Sequence, residues 1–592
     1  MARCPRWQPT LRAVHPLKEK SLLSFKEVKT SPAVATAPRP RSGWAYWQPS
    51  LLALLSAGLL WAGWPVHPAS MSLLLLVGWV PYLRMEQLLT RRGASGWKVF
   101  RYTYLTLVLW NAFTTWWVSY STLGGGIAAV VLNALLMCLP TMAFYHTKKL
   151  AGPTLGYLSL PVYWIAFEQL HLHWDLTWPW LTLGNGFAQA NSWVQWYEYT
   201  GFLGGSVWIW VVNILAFMSL QKYAVASRPG APELSRVQVQ RLIMIPLLAA
   251  LLPIGLSKLI GYNYQEKGPP VEVLVIQPNI DPYQEKFQGA ENFIPFEAQV
   301  TRLISLTTEN LTPKTRLVLW PETSLDQAQW ENQFDANPST QRVRAMLAQH
   351  PNLELITGIT SLVAYPSKET ASVTARFRDD TGFYDVFNTA AFLPTASTPA
   401  TFYHKSRLVP GVEKVPPLLT KIIANIDLGG TVGSYGSQEE RTVFRSPADS
   451  ALRVGPLICY ESVYGDFVAE YVKNGATLLG IITNDGWWSD SPGHEQHLQY
   501  ATLRAIETRR AIARSANTGI SAFINQKGEI TTQTDWWVPA ASRATVQLNS
   551  ELTFYVRHGE LIGPMMQVLA GLLLGFTLMR RFTGVKKTQL SS

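Results

Sequence analysis

Apolar residues along the chain follow two regimes. Between residues 44 and 262 they form long runs rich in Trp, Leu, Val and Ile, whereas 265–550 alternates short apolar runs with polar and charged stretches. A helix crossing the hydrocarbon core of a bilayer needs about 20 such residues. Seven runs of that kind precede the boundary, near 47–66, 70–90, 102–120, 125–146, 154–171, 203–221 and 242–262, and an eighth lies near 560–580. Glu168 and Gln169 interrupt the end of the fifth. In the second regime, short runs at 271–276, 317–320, 353–357, 457–460 and 478–483 read as buried strands, with further strand-like runs at 520–525 and 543–548. Helical patterns at 290–307 and 494–514 fall between them. Strands alternating with helices predict an α/β domain. The chain therefore divides into a basic, disordered tail (1–43), a seven-span helical bundle (44–264), an α/β domain (265–555) and a last span with its tail (556–592).

Charge gives the bundle a direction. Charged residues make up 15% of the 592, against roughly 25% in an ordinary soluble domain, and the deficit lies in the apolar half. The net charge of +11 is concentrated in the N-terminal tail and in alternate loops, which argues for membrane topology rather than nucleic-acid binding. Arg91, Arg92, Lys98 and Arg101 follow the second run, Lys148 and Lys149 the fourth, Lys222, Arg228, Arg236 and Arg241 the sixth, and Arg580 and Arg581 the eighth. The loops after runs one, three and five carry no Lys or Arg. Under the positive-inside rule both termini are cytoplasmic and 265–555 is extracytoplasmic. The first 42 residues lack an apolar segment long enough for a cleavable signal; they read as a tail, or as sequence upstream of the working start.

The three cysteines, Cys4, Cys138 and Cys459, are too few for a disulfide framework. Cys138 falls inside the fourth run and reads as an apolar contact. Three polar residues stand beside strands, where chemistry collects in α/β sheets: Glu322 after Trp320-Pro321, Lys405 in Lys-Ser-Arg-Leu-Val-Pro, and Cys459 in Ile-Cys-Tyr-Glu. Taken singly, each has an ordinary explanation as a loop carboxylate, a surface charge and a core thiol. His494 and His497 are three apart with Glu495 between them, but without further paired ligands the spacing argues against a metal site. Trp178-Pro179-Trp180 reads equally as an interfacial aromatic belt or as the lining of a lipid portal.

Together, Trp320-Pro321-Glu322, Lys405 with its Arg-Leu-Val-Pro setting, and Ile458-Cys459-Tyr460-Glu461 resemble the Glu-Lys-Cys triad of the nitrilase superfamily. The segment Thr483-Asn484-Asp485-Gly486-Trp487-Trp488, then Gln496-His497, Arg504–Glu507 and Arg514–Gly519, continues the likeness. Such a domain set between seven N-terminal spans and one C-terminal span is similar to the apolipoprotein N-acyltransferase family, over roughly 45–585. After Pro410 the family's Phe-Gly is replaced by Gly411-Val412, while Glu413 and Pro416 are kept in register. The resemblance implies an αββα sandwich and a two-step acyl transfer. Cys459 is then the nucleophile, Glu322 the general base and Lys405 the oxyanion donor, with Glu413, Tyr460 and Glu461 supporting and no cofactor. It implies a phospholipid donor such as phosphatidylethanolamine, used through its sn-1 chain, and a diacylated apolipoprotein acceptor bearing a free α-amine. It also implies a monomeric, multi-pass protein of the bacterial cytoplasmic membrane. The same triad serves a membrane-bound amidase with water as acceptor. A non-catalytic scaffold or transporter is the remaining alternative, weakened by the few charges inside the spans.

Overall fold

The computed structural model describes residues 43–414 and 435–582. The basic tail, residues 415–434 within the 410–437 segment considered as a lid, and the last ten residues lie outside the described part. Four helices are long and apolar enough to cross a bilayer: Leu123–Ala151, Leu203–Ala226, Arg236–Asn263 and Ile562–Phe582. Helices Gly43–Ala62, Gly96–Thr115 and Pro153–His173 pack with them. The Arg236–Asn263 helix turns nearly all its Leu and Ile side chains outward, as a helix facing lipid does.

The second expected span is broken. Ala69–Leu76 is a 3-10 helix, and an α-helix begins only at Val80 and runs to Arg91. Pro81 lacks the N–H that would bond back into the preceding turn. The polar groups at the break are met by Asn213 of the Leu203–Ala226 helix, which accepts from Trp79 N at 2.8 Å and donates to Leu75 O at 2.8 Å. A non-helical segment survives among apolar helices only when its backbone is satisfied in this way.

The α/β half is two stacked sheets with helices outside. One has eight strands, running Ala540–Gln547, Pro270–Gln277, Thr315–Leu319, Glu354–Ala364, Gly382–Leu393 and Arg376–Arg378, with Leu325–Trp330 and Thr401–His404 paired off this path. The other has six, running Ile530–Gln533, Ala522–Ile524, Ala511–Ala516, Leu478–Thr483, Arg453–Ile458 and Phe444–Arg445. Helices Phe296–Asn310 and Pro338–Gln349 cover the first sheet, Gly465–Lys473 and Pro492–Thr508 the second, giving an αββα sandwich. Two expectations shift. The helix read over 494–514 ends at Thr508, because Arg509 takes a left-handed φ of 50° and Ala511–Ala516 pairs in parallel with Leu478–Thr483. The strand read over 457–460 stops at Ile458, so Cys459 and Tyr460 lie in the 3-10 turn that follows.

The halves meet along the loop after the fifth run, which carries no Lys or Arg, and the adjoining ends of the first and third runs. Trp64 Nε1 donates to Tyr500 OH at 2.9 Å, and Trp180 Nε1 to Gln496 Oε1 at 2.6 Å. Trp117, Trp180 and Trp488 close on one another with centroids 4.9–5.7 Å apart.

Candidate active site

Each candidate is delivered by the end of a strand or the turn beyond it. Glu322 follows strand Thr315–Leu319, and its neighbour Thr323 holds a left-handed φ of 49°. This turn presses on Gly358, where a Cβ would sit 2.4 Å from Thr323 N and 2.6 Å from Glu322 Cα. Only a residue without a side chain allows that approach. Lys405 follows strand Thr401–His404, and its N–H donates to Asn388 O at 2.8 Å. Cys459 caps strand Arg453–Ile458 with φ 51°. A non-glycine residue held there marks a turn fixed by its surroundings.

Four buried side chains form one network. Lys405 Nζ lies 3.2 Å from Glu322 Oε1 and 2.9 Å from Glu413 Oε1. Asn388 Nδ2 reaches the same two oxygens at 2.7 and 3.0 Å. Glu322 Oε2 accepts the Asn484 N–H at 3.1 Å, and Glu413 Oε2 the Val409 N–H at 2.8 Å. Burial disfavours the Lys405 ammonium, but the two carboxylates override it and hold its pKa well above the usual lysine value. Burial pushes the Cys459 thiol up, Glu322 adds to this, and Lys405 opposes it. Burial and Glu322 thus disfavour the thiolate while Lys405 favours it, and a nucleophilic role for this sulfur calls for a nearby base.

The turn carrying Cys459 is anchored from behind. His497 Nε2 faces Cys459 O at 3.1 Å and Ser462 Oγ at 2.9 Å, while Nδ1 faces Asp485 Oδ1 at 2.9 Å. Arg514 donates to Asp485 Oδ2 at 2.7 Å. Burial opposes the Asp485 carboxylate, but Arg514 and His497 hold its pKa well below the normal range. The Cys459 sulfur, an Asp485 oxygen and a His497 nitrogen lie within 4.8 Å of one another. Both ring nitrogens of His497 are already engaged, and Arg514 supplies the cation at Asp485, so hydrogen bonds account for this group without a metal. His494 is apart from it, stacked on Trp536 at 3.7 Å.

Glu461 and Tyr460 stand outside the four-residue network. Glu461 Oε1 accepts from Tyr403 OH, Ser406 N and Arg407 N at 2.6, 2.7 and 3.1 Å, and Oε2 from Ile458 N at 2.8 Å. One buried carboxylate thus ties the loop after Lys405 to the strand before Cys459. Tyr460 OH donates to Thr177 O at 3.1 Å, bonding the Cys459 turn to the loop after helix Pro153–His173. Asn388 was missed from sequence. It lies in strand Gly382–Leu393, beside Thr389 and three residues after Asp385, where a further polar residue gives no local signal.

Comparison with known proteins places the chain in a family. Residues 275–551 match the carbon–nitrogen hydrolase family, and 56–215 match the apolipoprotein N-acyltransferase N-terminal domain. A protein of Chlorobaculum tepidum called apolipoprotein N-acyltransferase is 31% identical over 538 residues, covering 89% of this chain and 96% of that one. Its namesake in Geobacter metallireducens is 25% identical over 527 residues, covering 86% and 91%.

Proposed function

The chain belongs to the apolipoprotein N-acyltransferase family, a bacterial membrane acyltransferase with a nitrilase-type domain, and from that premise we propose that it works through a Cys459 thioester, with Glu322 and Lys405 as its catalytic partners. Cys459 Sγ attacks the sn-1 ester carbonyl of a phospholipid such as phosphatidylethanolamine. The S–C bond forms as the thiol proton passes to Glu322. The carbonyl oxygen becomes an anion stabilised by Lys405, and each donor of this kind contributes about 3–4 kcal/mol in well-studied cases. Collapse breaks the C–O bond, and Glu322 returns the proton to the departing lysophospholipid alkoxide. The free α-amine of a diacylated apolipoprotein then attacks the thioester. Glu322 takes the amine proton, the amide forms, and the proton returns to sulfur.

The observation that supports this reading is the buried Cys459, held at a left-handed φ of 51° and within electrostatic reach of the Glu322–Lys405 ion pair at 3.2 Å. Glu413 serves as the second carboxylate that fixes the Lys405 charge, Glu461 as the brace of its loop, and Tyr460 as the link to the bundle. The four apolar helices and the basic loops support a multi-pass protein of the cytoplasmic membrane, with the catalytic domain on the extracytoplasmic side. The α/β half is taken to span 265–555. There Cys459 meets two substrates anchored in the same leaflet.

The test is the intact mass of the protein incubated with phosphatidylethanolamine alone, beside Cys459→Ser. An acyl adduct that hydroxylamine removes, absent from the variant and discharged by a diacylated lipopeptide as N-acyl product, is expected. Release of free fatty acid with no N-acylated peptide would replace this reading with a hydrolase.

A further inference from the structure

We infer that Asn388 is a positioning residue for the reaction, a neutral double donor that aims Glu322 as the base. The inference rests on the catalytic roles proposed above for Glu322 and Cys459. A carboxamide nitrogen carries two N–H groups, and Asn388 Nδ2 has two carboxylate oxygens within reach, Glu322 Oε1 at 2.7 Å and Glu413 Oε1 at 3.0 Å. One hydrogen serves each.

The orientation of the amide is fixed by its surroundings. Asn388 Oδ1 is buried and has no hydrogen-bond partner among the described residues. Turning the amide over would set that oxygen against two carboxylate oxygens and strand the nitrogen. A buried orphan acceptor is normally avoided, so its retention says that the donating end is what the site requires. The backbone of the same residue accepts the Lys405 N–H at 2.8 Å. Asn388 therefore holds the base through its side chain and the oxyanion donor through its main chain.

The chemical consequence follows from its neutrality. Lys405 alone already contacts both carboxylates. A second cation in place of Asn388 would pin Glu322 too firmly as an anion to accept a proton. An apolar residue would remove the donor common to both carboxylates and loosen the aim of Glu322. Two neutral N–H bonds favour the ionised form while still letting Glu322 accept the thiol proton.

The experiment uses the full-length protein in detergent, in wild-type, Asn388→Ala and Asn388→Asp forms. It measures the single-turnover rate of Cys459 acylation by phosphatidylethanolamine against pH, together with thermal melting. Asn388→Ala is expected to acylate at least tenfold more slowly at neutral pH, with the acidic limb of its rate profile displaced upward. Asn388→Asp, of the same size, sets a third carboxylate against the other two and is expected to be slower still. A purely spatial role would lower the rate equally at every pH. Either variant melting cooperatively, with a rate within twofold of wild type and an unmoved acidic limb, overturns the inference. Loss of cooperative melting in both also overturns it, in favour of a role in folding. Failure of the wild type to acylate would instead sink the proposed reaction itself.

Discussion

Replacing Lys405 by Met keeps the length of the side chain and removes its charge. At an effective dielectric of about 20, unit charges at the observed 3.2 and 2.9 Å attract by roughly 5–6 kcal/mol each. Without that cation Glu322 and Glu413 share only Asn388, and two buried carboxylates face each other. Two losses then coincide: an oxyanion donor worth about 10²–10³ in rate, and an ionised base worth about 10²–10⁴. They act at one centre and do not simply add, so the expected fall in acylation rate is at least about a thousandfold. Removing one partner of a buried ion pair typically costs about 3–5 kcal/mol of stability. The assay is lysophospholipid release in a single turnover, with melting curves at several pH values. A folded Lys405→Met protein acylating within tenfold of wild type would refute the role given to this ammonium.

Gly358→Ala places a methyl group 2.4 Å from Thr323 N. It should cost about 1–3 kcal/mol and, by displacing Glu322, slow acylation more than tenfold, as thermal melting and single-turnover rates would register. Asp485, held low by Arg514 and His497 against its burial, contributes stability that is present above its unfolded value near 3.8 and is lost as pH falls toward its folded one. Asp485→Asn should therefore be less stable near neutrality and lose less stability than wild type below about pH 4, which denaturant melts at pH 3–7 would read. Tyr460→Phe removes one hydrogen bond to Thr177 O, worth about 0.5–1.5 kcal/mol. Acylation within tenfold of wild type is expected, and a larger loss would make the phenol part of the chemistry.

What could be read in the sequence was what depends on local pattern. The strand ending before Glu322 and the parallel strand at 478–483 were legible because a short apolar run closed by Pro or a polar residue has few other readings. The site triad was legible through its flanking residues, not through spacing. Three features were not. Asn388 gains its meaning only from Glu322 and Glu413, 66 and 25 residues away. The break at 77–79 sits in a run as apolar as a helix, and what tolerates it is Asn213, on another helix altogether. The end of the helix at Thr508 is a tertiary decision, since 511–516 has a parallel partner waiting in strand Leu478–Thr483.

The same long-range logic explains why the outer loop of the bundle is rich in Trp yet is not merely an interfacial belt. Trp180 is buried, bonds Gln496, accepts Tyr500 OH on its carbonyl at 2.9 Å, and packs its ring 5.9 Å from His497. His497 in turn holds the Cys459 carbonyl. Three residues before Trp180, Thr177 accepts from Tyr460 and pairs with Tyr464 OH at 2.7 Å. At its base, Leu183 N–H donates to Glu168 Oε1 at 2.8 Å, inside the bundle. The loop is thus bonded at one end to the helices and at the other to both flanks of the nucleophile turn. The bonds of Trp180 and Leu183 are buried and would each leave an orphan if broken, at about 1–3 kcal/mol apiece, while those of Thr177 are part-buried. The bundle consequently does more than anchor the catalytic domain, because it fixes the position of Cys459 relative to the helices.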